Sequence, residues 1–273
     1  MFQITILFLY LFAALALASS RFPRYSEHAK SLLFVALIAG YLGIVFHTRL
    51  LYAALFSGAG GLSLETAISL IGYQLAMIGL LGAFASSLRG VSAGLLMLAT
   101  VMSLVNGHIV SDIAAYDSVA NVPLSWQMRV HVMTSIFAYG LLTVGAIVAV
   151  YALVQDRRLR GRQLSAVNHL FAPLETTERL LYAVTATGFT VLALSVVSGI
   201  TFVEDLFAQH LVHKTSLSLL ALLLFGILLL GRRFAGWRGK RAVSLYFASF
   251  VVLSLAYFGS RYVLEEILGR SWS

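Results

Sequence analysis

Cysteine is absent from the 273 residues, which removes any disulfide framework, thiolate metal centre or thioether-linked cofactor. Charge is scarce as well. Only 11% of the residues are Asp, Glu, Lys or Arg, against about 25% in a soluble domain, and there are three prolines. A hydrophobic share of 60% and a mean hydropathy of +0.90 complete the picture of an integral membrane protein. The net charge of +8 would suggest nucleic acid in a soluble chain. Here the cations gather in loops between apolar runs, which membrane topology explains, and nucleic-acid binding is set aside.

What is present is a series of eight apolar segments. They lie near Ile4–Ser19, Ser31–Thr48, Leu64–Ser86, Val91–Val105, His131–Leu153, Leu180–Val203, Thr215–Gly231 and Val243–Gly259. The seventh organises the rest. It has no charged residue, and at about 1.5 Å per residue it nearly matches a hydrocarbon core of about 30 Å. Two histidines and two acids precede it, and the basic stretch Arg232–Arg241 follows it. The first segment ends in Ala-Leu-Ala-Ser-Ser like a signal peptide, but nothing positive precedes Arg21. It is therefore expected to be a retained helix with its N-terminus outside.

Charge sets the expected orientation. If the loops after spans 1, 3, 5 and 7 are cytoplasmic, they hold fourteen of the nineteen Lys and Arg. The expected fold is all-α, a polytopic helical bundle of about eight transmembrane helices in one domain over residues 1–273. Both termini are expected on the outer, periplasmic side. The longest inner loop, Gln155–Glu178, carries Pro173 and the Thr176–Thr177 pair, which suit a helix start. The longest outer loop, Asn106–Arg129, offers Trp126 as an interfacial anchor.

Seven histidines carry most of the candidate chemistry. In this topology His28 and His169 fall in cytoplasmic loops and read as solvated side chains. His47, His108, His131, His210 and His213 fall at or beyond the outer surface. His47 closes the second span and His131 opens the fifth. His210 and His213 precede the seventh, three apart, and share a face if helical. Imidazoles so placed can ligate haem iron or another transition metal, and facing helices can supply an axial pair. The ordinary alternative is an interfacial histidine bonded to backbone or headgroups.

Other chemistries find less support. Glu204–Asp205 with His210 and His213 form a weaker divalent-cation candidate. No serine–histidine–acid pattern and no phosphate loop is visible. An ion-coupled transport path would place ionisable groups deep in the spans, where this chain has chiefly Gln74 and small hydroxyls.

Four ordered passages give the chain a family likeness. The first is His47 ending the second span, with Leu62-Ser-Leu-Glu-Thr opening the third. The second is His131-Val-Met-Thr-Ser-Ile-Phe-Ala-Tyr-Gly, continuing to Tyr151-Ala-Leu-Val-Gln. The third runs from Gly188-Phe189 through Gly199 to His213-Lys214-Thr215. The fourth is Gly236-Trp-Arg-Gly-Lys-Arg-Ala, followed by Ala256-Tyr-Phe-Gly-Ser. Together they resemble the cytochrome c assembly membrane family of haem-handling proteins, and within it a proteobacterial inner-membrane branch.

In haem-exporting members, four histidines serve two haem positions, and a tryptophan-rich outer segment cradles haem for delivery. The resemblance aligns His47 with the first membrane histidine and His131 with the first outer one. The tryptophan-rich segment is replaced by Phe202-Val-Glu-Asp-Leu-Phe-Ala-Gln-His-Leu-Val-His. Histidine is missing near Gly231–Arg233 and again after the eighth span. A complete haem-delivery synthetase is therefore not expected.

The implied role is non-enzymatic. It is a multi-pass inner-membrane protein that binds or escorts haem in cytochrome c assembly or haem homeostasis. His131 and His213 are the favoured axial pair, with His210 as the alternative partner and His47 as a supporting or vestigial residue. The alternative role is a haem-free scaffold that regulates a haem-pathway or membrane partner through its cytoplasmic loops. The remaining alternative is a small transporter of an amphipathic ligand.

Overall fold

The computed structural model describes residues 2–56, 64–108, 125–162, 166–202 and 209–259. Among the described residues eight α-helices follow one another: α1 (Phe2–Ser19), α2 (Ala29–Phe56), α3 (Leu64–Ala83), α4 (Arg89–His108), α5 (Trp126–Arg160), α6 (Leu174–Phe202), α7 (Gln209–Ala235) and α8 (Gly239–Ser254). A π turn, Leu255–Gly259, continues α8. No strand occurs among the described residues. Among those residues seven helices are long and apolar enough to cross a membrane, and a shorter apolar helix, Gln3–Ser19, accompanies them. The chain is a polytopic helical membrane bundle.

Several helices overrun the apolar segments that announce them, while α3 stops short, at Ala83. α2 continues beyond Thr48 to Phe56, because Leu50–Phe56 is apolar and free of helix breakers. α5 runs on to Arg160, its last turn closed by an Asp156–Arg160 ion pair at 2.9 Å, one turn apart. α7 begins at Gln209 and takes in His210 and His213. Charge marks where the hydrocarbon ends, and a helix need not stop there.

The chain divides into two compact units. The first comprises Met1–Pro123 and Val154–Thr177. In it α1 packs on α2 and α4, and α3 packs on α4 and α2, so the four helices close a ring. Its polar segment is tied to main-chain oxygens. Arg21 Nε donates to the His169 carbonyl at 2.9 Å, and Gln155 Nε2 to the Ala172 carbonyl at 2.6 Å. Arg158 Nε donates to Asn168 Oδ1 at 2.8 Å. The Leu170 carbonyl lies against Gly90 so closely that any side chain there would collide with it. α6 starts directly after Pro173, as the sequence suggests.

The second unit comprises Leu124–Leu153 and Glu178–Ser273. Its core is built on Tyr246 of α8, fully buried, whose hydroxyl donates to the Leu142 carbonyl of α5. Phe225 of α7 meets the Tyr246 ring edge-on at 5.3 Å. Gly145 makes room for that phenol, whose oxygen occupies the space a Cβ would need. The turn from α7 to α8 relies on Gly236 (φ 64°) and Gly239 (φ 58°), left-handed positions that suit glycine. Between them the Trp237 N–H reaches back to the Gly231 carbonyl at 3.1 Å. Arg238 gives α8 no side-chain cap. Instead Glu178 of α6 accepts the Gly239 N–H at 3.3 Å and the Arg238 Nε at 3.0 Å.

This packing sets an order of severity. Gly145→Ala should destabilise by about 1–3 kcal/mol through overpacking. Tyr246→Phe should cost about 0.6 kcal/mol, the typical worth of one hydrogen bond between membrane helices. Thermal unfolding in mild detergent checks the order, and equal losses would contradict this account of the core.

Candidate functional site

Two histidines are held in opposite ways. His47 lies inside α2, not at its end, and is 1% exposed. The helix continues past it to Phe56, so His47 does not end the element on which it sits. Its Nδ1 pairs with the Tyr10 hydroxyl of α1 at 3.1 Å, and its Nε2 pairs with Ser69 Oγ of α3 at 2.9 Å. The Tyr73 ring stands edge-on at 5.4 Å, and its hydroxyl pairs with Thr48 Oγ1 at 3.0 Å. Both ring nitrogens are therefore occupied whichever tautomer is present. His47 joins three helices of the first unit.

His131 belongs to the second unit and sits near the start of α5, half-buried. Its Nδ1 is 3.0 Å from the Ser195 carbonyl oxygen and 2.9 Å from Ser198 Oγ, both on α6. A carbonyl can only accept, so Nδ1 carries the hydrogen. The neutral ring then keeps its lone pair on Nε2, which has no hydrogen-bond partner among the described residues. Gly199 lies flat against the ring: a Cβ there would stand 2.9 Å from Cε1. Ser135 Oγ donates to the His131 carbonyl at 2.8 Å and pairs with Ser195 Oγ at 2.6 Å, fixing the crossing of α5 and α6. A histidine whose Nδ1–H is given to a carbonyl while Nε2 stays open has the form of an oriented metal ligand.

The favoured partners lie on α7. His210 and His213 fall in its first turns, three apart on the helix, and their side chains lie outside the described residues. The residue after His213, Lys214, is near enough to His131 for its charge to act on the ring. The start of α7 is thereby brought to the His131 end of α5. His108 ends α4, and its side chain is likewise outside the described residues, as are Glu204 and Asp205. His28 and His169 are exposed, as expected of loop histidines. Trp126 opens α5 and is 68% exposed. Among the described residues no three of His, Asp or Glu gather as a metal-binding group.

Histidine counting missed the seats. Ser195, Ser198 and Gly199 follow an i, i+3, i+4 pattern inside an apolar span, which places them on one face of α6. Tyr10 gives no such signal, and Ser69 is one of three hydroxyls on α3, with Thr66 and Tyr73, none of which names its partner.

Removing the His47 ring takes from the buried Tyr10 hydroxyl the hydrogen-bond partner it has on α2, and takes one partner from Ser69. His47→Ala is therefore expected to cost about 2 kcal/mol, and Tyr10→Phe about half as much. Detergent melting curves read both. A neutral His47→Ala would remove the clamp.

Comparison with known proteins follows this geometry. The family described as "Cytochrome C assembly protein" matches residues 25–268. "Inner membrane protein YpjD" of Escherichia coli (strain K12) is 36% identical over 140 residues, covering 51% of this chain and 53% of that protein. "Uncharacterized 28.8 kDa protein in nifR3-like 5'region" of Azospirillum brasilense is 28% identical over 141 residues, 51% of this chain and 52% of that one. "Cytochrome c biogenesis protein CcsA" of Chlamydomonas reinhardtii is 24% identical over 145 residues, 52% of this chain and 40% of that one. The chain spans about half the length of the curated relatives it matches. No solved structure matches it. Its apolar helices and its likeness to an inner membrane protein agree on a multi-pass inner-membrane location. With almost the whole chain matched, this protein belongs to the Cytochrome C assembly protein family.

Proposed function

We propose that the chain is a haem-binding or haem-escorting protein of cytochrome c assembly or haem homeostasis, a carrier and not a catalyst. The observation that carries this reading is the Nε2 of His131, which has no hydrogen-bond partner among the described residues while the Ser195 carbonyl and Ser198 hydroxyl hold Nδ1. That donor set fits haem iron: a neutral imidazole is its commonest protein ligand, and a fixed Nδ1–H both orients it and raises its basicity. His213 is the proposed second donor, with His210 as the alternative, because Lys214 acts on the same ring. Bound haem would supply coordination and redox chemistry. The chain's own residues orient the donor, and α5 and α6 stay registered through Ser135 and Ser195.

In this reading the His131 end of α5 faces outward, with both termini on the periplasmic side, as the loop cations favour. His47 takes no part in ligation, since both its nitrogens are used within the first unit. The tryptophan-rich cradle is missing from the sequence, so escort fits better than delivery to an apoprotein.

A second reading rests on the tied inner segment, residues 166–172. Its backbone oxygens are held by Arg21 and Gln155, so it presents a fixed surface to a haem-pathway or membrane partner. That reading makes the protein a haem-free scaffold.

The visible spectrum of protein purified from haem-replete cells separates the two. The expected result is near-stoichiometric haem with a Soret band, lost in His131→Ala and His213→Ala and kept in any folded His47 variant. A colourless wild type would sink the haem reading and favour the scaffold. Retention in His213→Ala with loss in His210→Ala would move the second ligand by one turn. Gly199→Ala should crowd the ring and weaken haem retention by about tenfold, the lower range for losing a supporting contact. Haem transfer to apomyoglobin, followed over time, measures it.

A further inference from the structure

The turn between α7 and α8 carries a feature that haem handling does not use. The membrane-spanning stretches on either side are Lys214–Ala235 and Gly239–Gly259. The intervening Gly236–Arg238 must therefore lie where hydrocarbon meets water. Five cations cluster there: Arg232, Arg233, Arg238, Lys240 and Arg241. Glu178 engages two of them, with Arg238 Nε at 3.0 Å and Arg232 Nη1 at 4.0 Å, and spends its other oxygen on the Gly239 N–H. Arg233, Lys240 and Arg241 have no carboxylate partner among the described residues.

A topology signal needs only positive charge. This cluster is built more closely than that. The Arg241 guanidinium stacks over the Trp237 ring at 4.1 Å. Trp237 is itself packed on Gly231, where its ring fills the space of a missing side chain. Arg232 lies over the Tyr182 ring at 5.3 Å. The two left-handed glycines fix the turn that carries them. Cations ordered in advance lose less freedom when an anion arrives. Phe234, beside Arg233, is 79% exposed and is placed to enter the acyl region of a bilayer. Between α6 and α7 a shallow hollow begins at Glu178 and Arg232 and is lined beyond them by Leu181, Tyr182, Leu228 and Leu229.

We infer that this turn is a binding site for an anionic phospholipid, with the headgroup phosphate on Arg233, Lys240 and Arg241 and an acyl chain along the Leu181–Leu228 hollow. Position at the interface, surplus positive charge and an adjoining apolar hollow together fit a phosphate carried on a hydrocarbon tail. A soluble phosphate would make no use of the hollow or of Phe234. Arginine stacked on an aromatic face is also the cation suited to hold a phosphate in a set direction.

The test uses the full chain in mild detergent, with thermal unfolding followed as lipid is added. Phosphatidylglycerol should raise the midpoint, and phosphatidylcholine or inorganic phosphate at equal concentration should not. The triple variant Arg233→Gln, Lys240→Gln, Arg241→Gln should need about tenfold more phosphatidylglycerol for the same rise. Two variants keep the charge and so preserve topology: Arg241→Lys and Trp237→Leu. Each should also weaken the response, because each breaks the stack. Equal stabilisation by phosphatidylcholine overturns the proposal, as does an unchanged response in the triple variant. A full effect from inorganic phosphate reassigns the site to a soluble anion. Charge-preserving variants that behave like wild type reduce it to unspecific attraction.

Discussion

Hydrocarbon offers no hydrogen bonds, so each polar atom carried into it must find its partner within the protein. That constraint shapes both units. Most span hydroxyls meet it locally, by donating to the carbonyl one turn back: Thr48 to Ile44, Thr100 to Leu96, Thr185 to Leu181, Ser249 to Leu245. Other hydroxyls tie two helices together, some of them in addition to a bond along their own helix. Tyr246 holds α8 to α5, Tyr139 pairs with Ser254 at 3.0 Å, and Ser135 pairs with Ser195. Ser92 Oγ is the buried side-chain oxygen left without a partner among the described residues.

The same constraint separates the two histidines. Both belong to passages that resemble the family, and by position alone they look equivalent. His47 is enclosed by hydroxyls on both sides and is consumed by the bundle. His131 faces a carbonyl on one side only, and that asymmetry leaves a directed lone pair. In the proposed reading the two are told apart by what occupies the second nitrogen, a question sequence position does not answer.

The place and type of the apolar helices among the described residues were legible because hydropathy reports directly on burial in lipid. All eight apolar runs became helices, and Pro173 marked the start of α6. Helix lengths were not legible. Residues such as Leu50–Phe56 and Gln155–Arg160 continue a helix after the charge pattern has announced its end. Of the candidate site, His131 could be found from its motif. Its seat on Ser195, Ser198 and Gly199 could not, because it forms between helices 64 residues apart in sequence, as the His131–Ser195 pair shows. The clamp at Tyr10 was hidden for the same reason: an isolated tyrosine in an apolar helix carries no information about its neighbour.

Glu178 bears on how the chain is assembled. α8 opens without a cap of its own, and the acceptor for its Gly239 N–H comes from a residue 61 positions earlier. A helix made later in synthesis is thus finished by one already laid down. The first turn of α8 gains this acceptor only once α6 and the α7 hairpin have met, so completing that turn is a docking event and not the winding of a helix.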